Sequence, residues 1–399
     1  MKLRSTETFW PLKNAMLNSY PSITKDIDTE ILIIGGGITG ALIAYKLIKA
    51  GKKIVLVDRR DVCNGSTAAS TALLQYEIDV PLHKLIELRG LECAVDSYKN
   101  GKKAIFDLRN IIDTIKSDCH FEFKKSIYFT SLKKDIPFLK REFDTRKNSG
   151  FDVTWLSKFN LKEMGLNALA AIESKTAAVM DPYKLAQDLL VYCQENGMQI
   201  FDRTNITGIQ NQKEKCIART ENKFTITADH VIHCSGYESV ETLKEKVVDL
   251  KSTYVIASEN LPDLPVAFKN AIFWNTADPY LYFRATADNR IIIGGGDEDF
   301  KDAQKRDKLL PKKESYLLKQ FQRKFPLIDF KMDYSWAGTF GETKDGLPYF
   351  GKPDPKKNEH YVLGFGGNGI TFSVLGMNSI LDSIDDKENQ DLKYYRFGR

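Results

Sequence analysis

Residues Glu30–Asp58 read EILIIGGGITGALIAYKLIKAGKKIVLVD, and this stretch decides the fold. A short apolar run, Ile31 to Ile34, leads into three glycines. A helical pattern follows as far as Gly51, and a second apolar run, Ile54 to Val57, ends at an acidic residue. This order of apolar run, glycine turn, helix and apolar run predicts one βαβ unit of a parallel sheet.

Three glycines of this unit, Gly35, Gly37 and Gly40, have the G-x-G-x-x-G spacing of a dinucleotide-binding turn. The first glycine makes the tight turn, the second lets the backbone approach a pyrophosphate, and the third allows the helix to pack closely on the strand. The phosphates would bind to free N–H groups at the start of the helix, where Ile38 and Thr39 stand.

Asp58 supports this interpretation, because a carboxylate after the second strand can accept hydrogen bonds from an adenosine ribose. The same carboxylate would repel a 2′-phosphate. The alternative is a glycine-rich turn with no ligand. A strand before the glycines, a helix after them and an acid at the expected distance favour the dinucleotide site.

Composition and charge exclude several other classes of protein. The chain of 399 residues is long enough for two domains, and its 42% hydrophobic and 28% charged residues are typical of globular proteins. The net charge of +5 is dispersed over 58 basic and 53 acidic residues, so we expect no nucleic-acid partner. Six scattered cysteines and five histidines show no metal-ligand spacing, which predicts reduced thiols and no metal.

The sequence contains no secretory h-region and no long uncharged apolar run, so we expect a cytoplasmic protein with no membrane span. Residues 1 to about 28 predict an ordered arm that lies over the domain outside the sheet.

Two further stretches predict backbone that approaches a ligand. A loop of small and hydroxyl residues, Asn64 to Ala72, follows the βαβ unit; its alternative is an N-capped helix start. Near the C-terminus, a predicted strand at Tyr361–Gly364 leads through glycines into a predicted helix, Ile370 to Ile384, whose first N–H groups would face a ligand.

The remaining pattern alternates between two kinds of structure. Helical spacing covers 85–116 and 133–148, and Asp181-Pro182 predicts a helix N-terminus. Strands are predicted at 199–201, 224–227 and 231–234, the last leading to a Ser235-Gly236 turn. Short alternating runs at 252–257, 272–275, 280–285 and 290–293 predict an antiparallel sheet with a hairpin at Asp288-Asn289, and a helix is predicted at 314–325.

Four motifs in this order resemble the D-amino-acid oxidase-like FAD-dependent oxidoreductases, in particular the glycine/sarcosine oxidase and gamma-glutamylputrescine oxidase branch. They are GGGITGALIAYKLIKAGKKIVLVDRR, GSTAAS, DPYKLAQDLL with HCSG, and GLPYFGKP with GFGGNGITFSVLG. The resemblance implies an α/β protein: a Rossmann-like FAD-binding domain with a central parallel sheet, and an α+β substrate domain built on a mixed antiparallel sheet. We assign segments 1–118, 176–248 and 334–399 to the first domain, and segments 119–175 and 249–333 to the second.

The resemblance also implies roles for individual residues. FAD would contact the residues Gly35, Gly37, Ile38, Thr39, Gly40, Asp58, Arg59, Ser66, Thr67, Ser70, Ile206, Gly236, Gly366, Gly367, Asn368, Gly369 and Ile370. Family members with covalent flavin use a cysteine near the segment 336–343 or a histidine near 64–70. This chain has neither, so we expect non-covalent FAD. The usual T-P-D of the C-terminal segment is Thr343-Lys344-Asp345 here, which leaves the role of that turn open.

The implied reaction is oxidation of the C–N bond of an amine or amino acid, with hydride transfer to flavin N5 and hydrolysis of the imine, and with oxygen or another electron acceptor. Arg284 is our candidate to hold a substrate carboxylate, the alternative being a structural ion pair. Tyr254 and Tyr282 are candidate pocket residues or packing residues. Trp336 is expected near the flavin or in the core.

Three other functions remain open at this point: a tRNA-modifying FAD oxidase, a non-catalytic FAD-binding protein and, less favoured, an NAD-only dehydrogenase. The sequence does not give the substrate, the electron acceptor, a catalytic base or the oligomeric state.

Overall fold

The computed structural model describes residues 1–5, 7–212, 214–243, 245–363 and 365–399. Its strands are β1 Ile27–Ile34, β2 Ile54–Val57, β3 Leu73–Gln75, β4 Glu122–Thr130, β5 Val153–Ser157, β6 Ala170–Val179, β7 Gln199–Phe201, β8 Ile206–Gln212, β9 Lys215–Thr220, β10 Thr225–His233, β11 Asp249–Ser258, β12 Ala271–Asn275, β13 Leu281–Ala285, β14 Ile291–Asp299, β15 Met332–Glu342, β16 Tyr349–Gly351 and β17 Glu359–Leu363.

The helices are α1 Phe9–Asn14, α2 Ile38–Lys49, α3 Ser66–Ala69, α4 Leu82–Arg89, α5 Leu91–Ile115, α6 Ile136–Asn148, α7 Lys158–Glu163, α8 Pro182–Glu195, α9 Val266–Lys269, α10 Ala303–Lys324, α11 Gly369–Ile384 and α12 Gln390–Tyr395. Short 3-10 turns cover Lys133–Asp135, Gly236–Thr242 and Gly366–Asn368. In the described part of the chain, no helix combines the length and apolar character needed to cross a membrane.

The first sheet contains the predicted βαβ unit, β1-α2-β2. Its strands lie in the order β16-β17-β10-β1-β2-β7, and β1 pairs in parallel with both β2 and β10. We predicted two strands at 224–227 and 231–234, but the structure has one continuous strand, β10. The residues between the two apolar runs stay extended because they pair with β1, Ala228 with Thr29 and His230 with Ile31.

The C-terminal prediction for this sheet is confirmed at β17 and α11. Strand β17 pairs in parallel with β10, and α11 begins at Gly369, one residue before the predicted start. The predicted end of the strand, Gly364, lies outside the described residues.

The second sheet has the order β15-β11-β14-β13-β12-β4-β6-β3, with β5 paired to β6. The antiparallel prediction for 252–293 is confirmed, and Asn289 has a φ of 57° in the predicted hairpin. Helix α10 packs on one face of this sheet. It begins eleven residues before the predicted start (303 against 314), because Asp302 caps it and Pro311 is accommodated inside it.

The N-terminal arm differs from the prediction in one respect. The Ser5 N–H donates to Ala337 O at 2.9 Å and the Thr339 N–H donates to Leu3 O at 2.8 Å, so the arm adds a short bridge to the edge strand β15. An edge strand carries unpaired backbone groups, and the arm satisfies some of them.

The strand pairing does not follow the predicted domain segments throughout. Strands β3 and β15 pair in the second sheet, although most of their residues fall within segments 1–118 and 334–399, which we assigned to the first domain. The domain division itself stays a prediction.

Helix α8 starts where the sequence predicted, because the Asp181 carboxylate accepts hydrogen bonds from the Tyr183 and Lys184 N–H groups at 3.0 and 2.9 Å. Replacement of Asp181 by alanine should lower the free energy of unfolding by about 1–2 kcal/mol, since these N–H groups lose their acceptor. Urea unfolding of D181A would measure this loss. E195A, at the exposed end of the same helix, is the control, and equal losses in both variants would contradict the capping role.

Candidate active site

A cavity of about 930 Å³ is lined by residues of both sheets. All but one of the residues predicted to bind the dinucleotide line it. They are Gly35, Gly37, Ile38, Thr39, Asp58, Arg59, Ser66, Thr67, Ser70, Ile206, Gly236, Gly366, Gly367, Asn368, Gly369 and Ile370. The structure therefore brings together residues that are more than 300 positions apart in the sequence (35 and 370).

The exception is Gly40, which packs behind the turn. A Cβ atom there would lie 2.0 Å from Gly35 O. Gly35 itself has a φ of +110°, and its Cβ would lie 2.5 Å from Cys234 O. The first and third glycines thus allow β1, β10 and α2 to meet with no side chain between them, as the sequence predicted.

Asp58 lies at the end of β2, where its carboxylate accepts hydrogen bonds from the Gly36 and Arg60 N–H groups, both at 2.8 Å. Burial raises its pKa to about 6, although these two N–H groups oppose the shift. The neighbouring Arg59 donates to Met1 O and forms an ion pair with Glu238. At this end of the cavity the Asp58 carboxylate is therefore fixed in position beside Arg59, and a fixed carboxylate can accept hydrogen bonds from the hydroxyl groups of a ribose.

The loop at Ser66–Ser70 is held from behind by two tryptophans. The Trp10 Nε1 atom donates to Ser70 O at 2.7 Å, and Trp336 Nε1 donates to Ala69 O at 2.9 Å. Trp336 is fully buried, so it positions this loop from the core. The Ser66 hydroxyl lies on the cavity wall, and its oxygen is buried without a hydrogen-bond partner among the described residues.

The N-terminus of α11 forms another part of the wall. The Asn368 side chain donates to Gln75 O and Glu77 O at 3.2 and 2.9 Å, and these bonds connect the turn at Gly366–Asn368 to the end of β3 and the segment that follows it. In the same segment, Asp79 accepts a hydrogen bond from the Gly367 N–H at 2.7 Å.

The opposite wall belongs to the second sheet. Tyr282 lines the cavity as predicted, but Tyr254 does not. Its side chain packs in the cluster under α10, and Lys313 Nζ lies 5.2 Å from the centre of its ring. The neighbouring Thr253 faces the cavity instead, because successive residues of a strand point to opposite faces. The sequence prediction was thus one residue out of register on β11.

Arg284 also lies outside the cavity lining. It is 2% exposed, and its Nη1 donates to Thr71 O, Ala72 O and Met180 O at 2.8–2.9 Å. Burial lowers its pKa to about 10. The prediction that Arg284 holds a substrate carboxylate is therefore withdrawn, because its guanidinium is buried among backbone carbonyls and supports the segment at Thr71.

Sequence reasoning missed several residues of this wall, namely Asp79, Thr253, Trp274, Tyr280 and Asp297. Tyr280 could have been found, because it stands two residues before Tyr282 and therefore on the same side of the chain. Asp79 and Asp297 gave no such signal, since Asp79 follows β3 in a loop and Asp297 lies in β14 beside a shift in its register with β11.

A protein-family model described as FAD dependent oxidoreductase (DAO) matches residues 30–377 of the chain. The chain belongs to this family. The gamma-glutamylputrescine oxidoreductase of Escherichia coli K12 is 25% identical over 95% of this chain and 90% of that protein. The glycine oxidase of Bacillus subtilis 168 is 25% identical over 93% of this chain and 97% of that protein. These findings confirm the resemblance seen in the sequence.

The fold is confirmed as well. The crystal structure of glycine oxidase from Geobacillus kaustophilus superimposes with a TM-score of 0.78, covering 94% of this chain and 99% of that one at 20% identity.

The cofactor of this DAO-family oxidoreductase is FAD, and the cavity fits it. The glycine turn leaves room for a pyrophosphate, Asp58 stands where a ribose binds, and the unpartnered Ser66 hydroxyl is free to donate to a phosphate or ring oxygen. The α11 N-terminus provides positive potential at the other end. The individual contacts and non-covalent attachment stay predictions.

Replacement of Ser66 by alanine should weaken FAD binding about 3- to 10-fold, the value of one hydrogen bond of about 1 kcal/mol. The apoprotein should be no less stable, because the buried hydroxyl has no partner to lose among the residues that the structure describes. FAD titration of the apoprotein and its thermal unfolding measure the two effects. S149A, on a distant helix end, is the control. A destabilised apoprotein with unchanged FAD affinity would contradict this role.

Proposed function

We propose that this FAD-dependent oxidoreductase oxidises the C–N bond of an amine or amino acid. The supporting observation is one continuous cavity, whose lining includes residues of the glycine turn of the first sheet and aromatic residues of the second. When bound, FAD accepts a hydride from the carbon beside the amine, and water then hydrolyses the imine to a carbonyl. The named relatives that oxidise glycine or gamma-glutamylputrescine support this reaction class.

The chain contributes orientation and electrostatics. Tyr282, Tyr280 and Trp274 form an aromatic wall opposite the glycine turn, and they can orient an alkyl chain and exclude water from it. The first N–H groups of α11 stabilise negative charge on a group above them. A substrate amine that arrives neutral needs no strong general base.

The test is anaerobic reduction of the purified holoprotein. We expect a yellow protein whose visible flavin absorbance is bleached by at least one member of a panel of primary amines, N-methyl amino acids and D-amino acids. Reoxidation in air would indicate an oxidase, and reoxidation only by an artificial acceptor would indicate a dehydrogenase. A protein with bound FAD that no panel member reduces would contradict the proposal and favour a non-catalytic role.

A further inference from the structure

The charged residues around the cavity are distributed unevenly. Among its described lining residues, the lysines and arginines are Arg59, Arg60 and Lys357. The first two form ion pairs with Glu238, and Lys357 lies 3.7 Å from Glu359. None of them belongs to the second sheet. The lining residues of that sheet include an acid, Asp297, and no described cation.

Asp297 is an unusual carboxylate. It lies at the end of β14, in the cavity wall, and its Oδ1 atom is buried without a hydrogen-bond partner among the described residues. A buried carboxylate oxygen with no donor is costly unless a ligand supplies one. Lys313 on α10, whose charge acts on Asp297, is held by Glu298 at 2.8 Å and donates to Gly296 O.

Two tyrosine rings flank this acidic end. The Tyr280 and Tyr282 ring centroids are 5.7 Å apart, and the Thr253 and Tyr282 hydroxyls are 3.3 Å apart. The Tyr282 ring packs against Gly294, where a Cβ atom would lie 2.2 Å from the ring. Aromatic faces attract cations, and they do so more strongly in a desolvated site.

A second carboxylate fixes one of these rings. Asp79 accepts a hydrogen bond from the Tyr280 hydroxyl at 3.3 Å as well as the one from Gly367. The Asp79 carboxylate therefore has its own donors, whereas Asp297 Oδ1 has none in the described part of the chain. Both acids make the potential at this end of the cavity negative.

Building on the proposed function, we infer that the substrate is an alkyl diamine or polyamine. Its second, positively charged nitrogen binds to Asp297 and to the rings of Tyr280 and Tyr282. One nitrogen would react in its neutral form: bound FAD would take a hydride from the carbon beside it, an N–H proton would go to solvent, and water would hydrolyse the resulting imine and release that nitrogen as ammonia. The other nitrogen remains an ammonium ion throughout. If the substrate carried a carboxylate at this position instead, the negative charge of Asp297 would repel it.

The experiment compares three substrates of similar length: putrescine, butylamine and γ-aminobutyrate. In the wild-type holoprotein, kcat/KM for putrescine should exceed that for butylamine about 10- to 100-fold, as a charge-assisted hydrogen bond allows. γ-Aminobutyrate should be the poorest. In D297N the advantage of putrescine over butylamine should fall to a few-fold at most, because the charge-assisted hydrogen bond is lost and only the tyrosine rings and the Asp79 charge still favour the cation, while butylamine oxidation persists. D299N is the control, because Asp299 lies two residues further along β14 and is exposed.

A binding measurement separates charge recognition from turnover. Choline, whose charge does not titrate, should perturb the flavin spectrum of the wild-type protein, and its neutral isostere dimethylbutanol should bind about 10-fold more weakly. In D297N this preference for choline should shrink, because only the two tyrosine rings still attract the cation. FAD content and thermal unfolding of D297N check that the variant is folded, and D297A provides a second variant if it is not.

The choline affinity should also fall as the pH drops through about 7. Burial raises the pKa of Asp297 to about 7, opposed by the Thr253 hydrogen bond and Lys313 and aided by the negative charges of Glu342 and Asp79. Below that pH the carboxyl is neutral and attracts the cation less. D297N should lose this pH dependence.

Failure of the inference differs from failure of the proposed function. If amines reduce the flavin but butylamine or amino acids match putrescine, and D297N changes nothing, only the diamine assignment is overturned. If no amine reduces the flavin, the proposed function itself fails. If choline and dimethylbutanol bind the wild-type protein equally, the cation site is contradicted whatever the substrate.

Discussion

Replacement of Arg146 by methionine should lower the free energy of unfolding by about 3–5 kcal/mol, the usual effect of removing one member of a buried charge cluster. Arg146 lies on α6 and is fully buried, as are Glu142 and Glu77. Its Nε donates to Glu142 Oε1 at 2.6 Å and its Nη1 donates to Glu77 Oε1 at 3.3 Å. Methionine fills a similar volume but leaves two buried carboxylates without their cation.

The R146M substitution should also affect the candidate active site. Glu77 lies in the segment whose backbone carbonyls accept the Asn368 hydrogen bonds, and Asp79 is two residues further on. We therefore expect R146M to loosen the contact between this segment and the α11 N-terminus and to weaken FAD binding. Urea unfolding and FAD titration measure both effects.

The control is R141M on the same helix. Arg141 pairs with Glu87 at 2.8 Å, but both side chains are largely exposed, so the variant should unfold like the wild-type protein. Equal stability of R146M and R141M would show that the buried cluster does not stabilise the fold.

The same cluster predicts a pH dependence of stability. Burial alone would raise the pKa of Glu142, but the Arg146 charge and the hydrogen bonds from His83 and Leu82 outweigh it and lower the pKa to about 2. A carboxyl whose pKa is lowered by folding stabilises the protein above its unfolded pKa, and this contribution is lost as the pH falls from about 4.5 to about 2. R146M should show a weaker loss in this range.

Replacement of Gly40 by alanine should destabilise the protein by about 3 kcal/mol and weaken FAD binding more than 10-fold, because overpacking forces the backbone apart. The new methyl group would lie 2.0 Å from Gly35 O, and a backbone oxygen cannot move aside without shifting the end of β1. The glycine turn would then open away from the pyrophosphate. Thermal unfolding and the FAD content of the purified protein are the measurements.

G208A is the control for stability. Gly208 lies in β8, and a Cβ atom there would meet no atom of the described residues within 4 Å, so the same added methyl group should leave the unfolding free energy unchanged. If G40A unfolds like G208A and retains FAD, the close approach of α2 to the turn does not matter for the cofactor.

The parts of this site that could be predicted depend on neighbours in the sequence. The glycine turn, the helix after it and the acid after β2 follow from spacing within one βαβ unit. The Asp181 cap likewise acts on N–H groups two and three residues away. In each case the physical interaction is local, so the sequence pattern carries it.

Other parts could not be predicted because they depend on strand register or on distant pairing. On β11, a shift of one residue decides whether Tyr254 or Thr253 faces the cavity. The alternating pattern shows that the two residues point to opposite faces of the sheet, but it does not show which face helix α10 covers. Arg284 looked like a carboxylate ligand because its guanidinium was assumed to be free. Only the packed chain shows it beneath Thr71 and Met180.

By itself, the sequence determined that this protein folds around a dinucleotide turn, belongs among the FAD-dependent oxidoreductases and builds a second, mixed sheet in which most strand pairs are antiparallel. Only the tertiary structure decided what faces the aromatic end of the cavity. Asp79, Tyr280 and Asp297 converge there from three separate segments, and Arg146 meets Glu77 across a gap of 69 residues. Burial decides the chemistry of these groups, because a carboxylate acquires its partner, its pKa and its affinity for a cation only once the fold has removed water from around it.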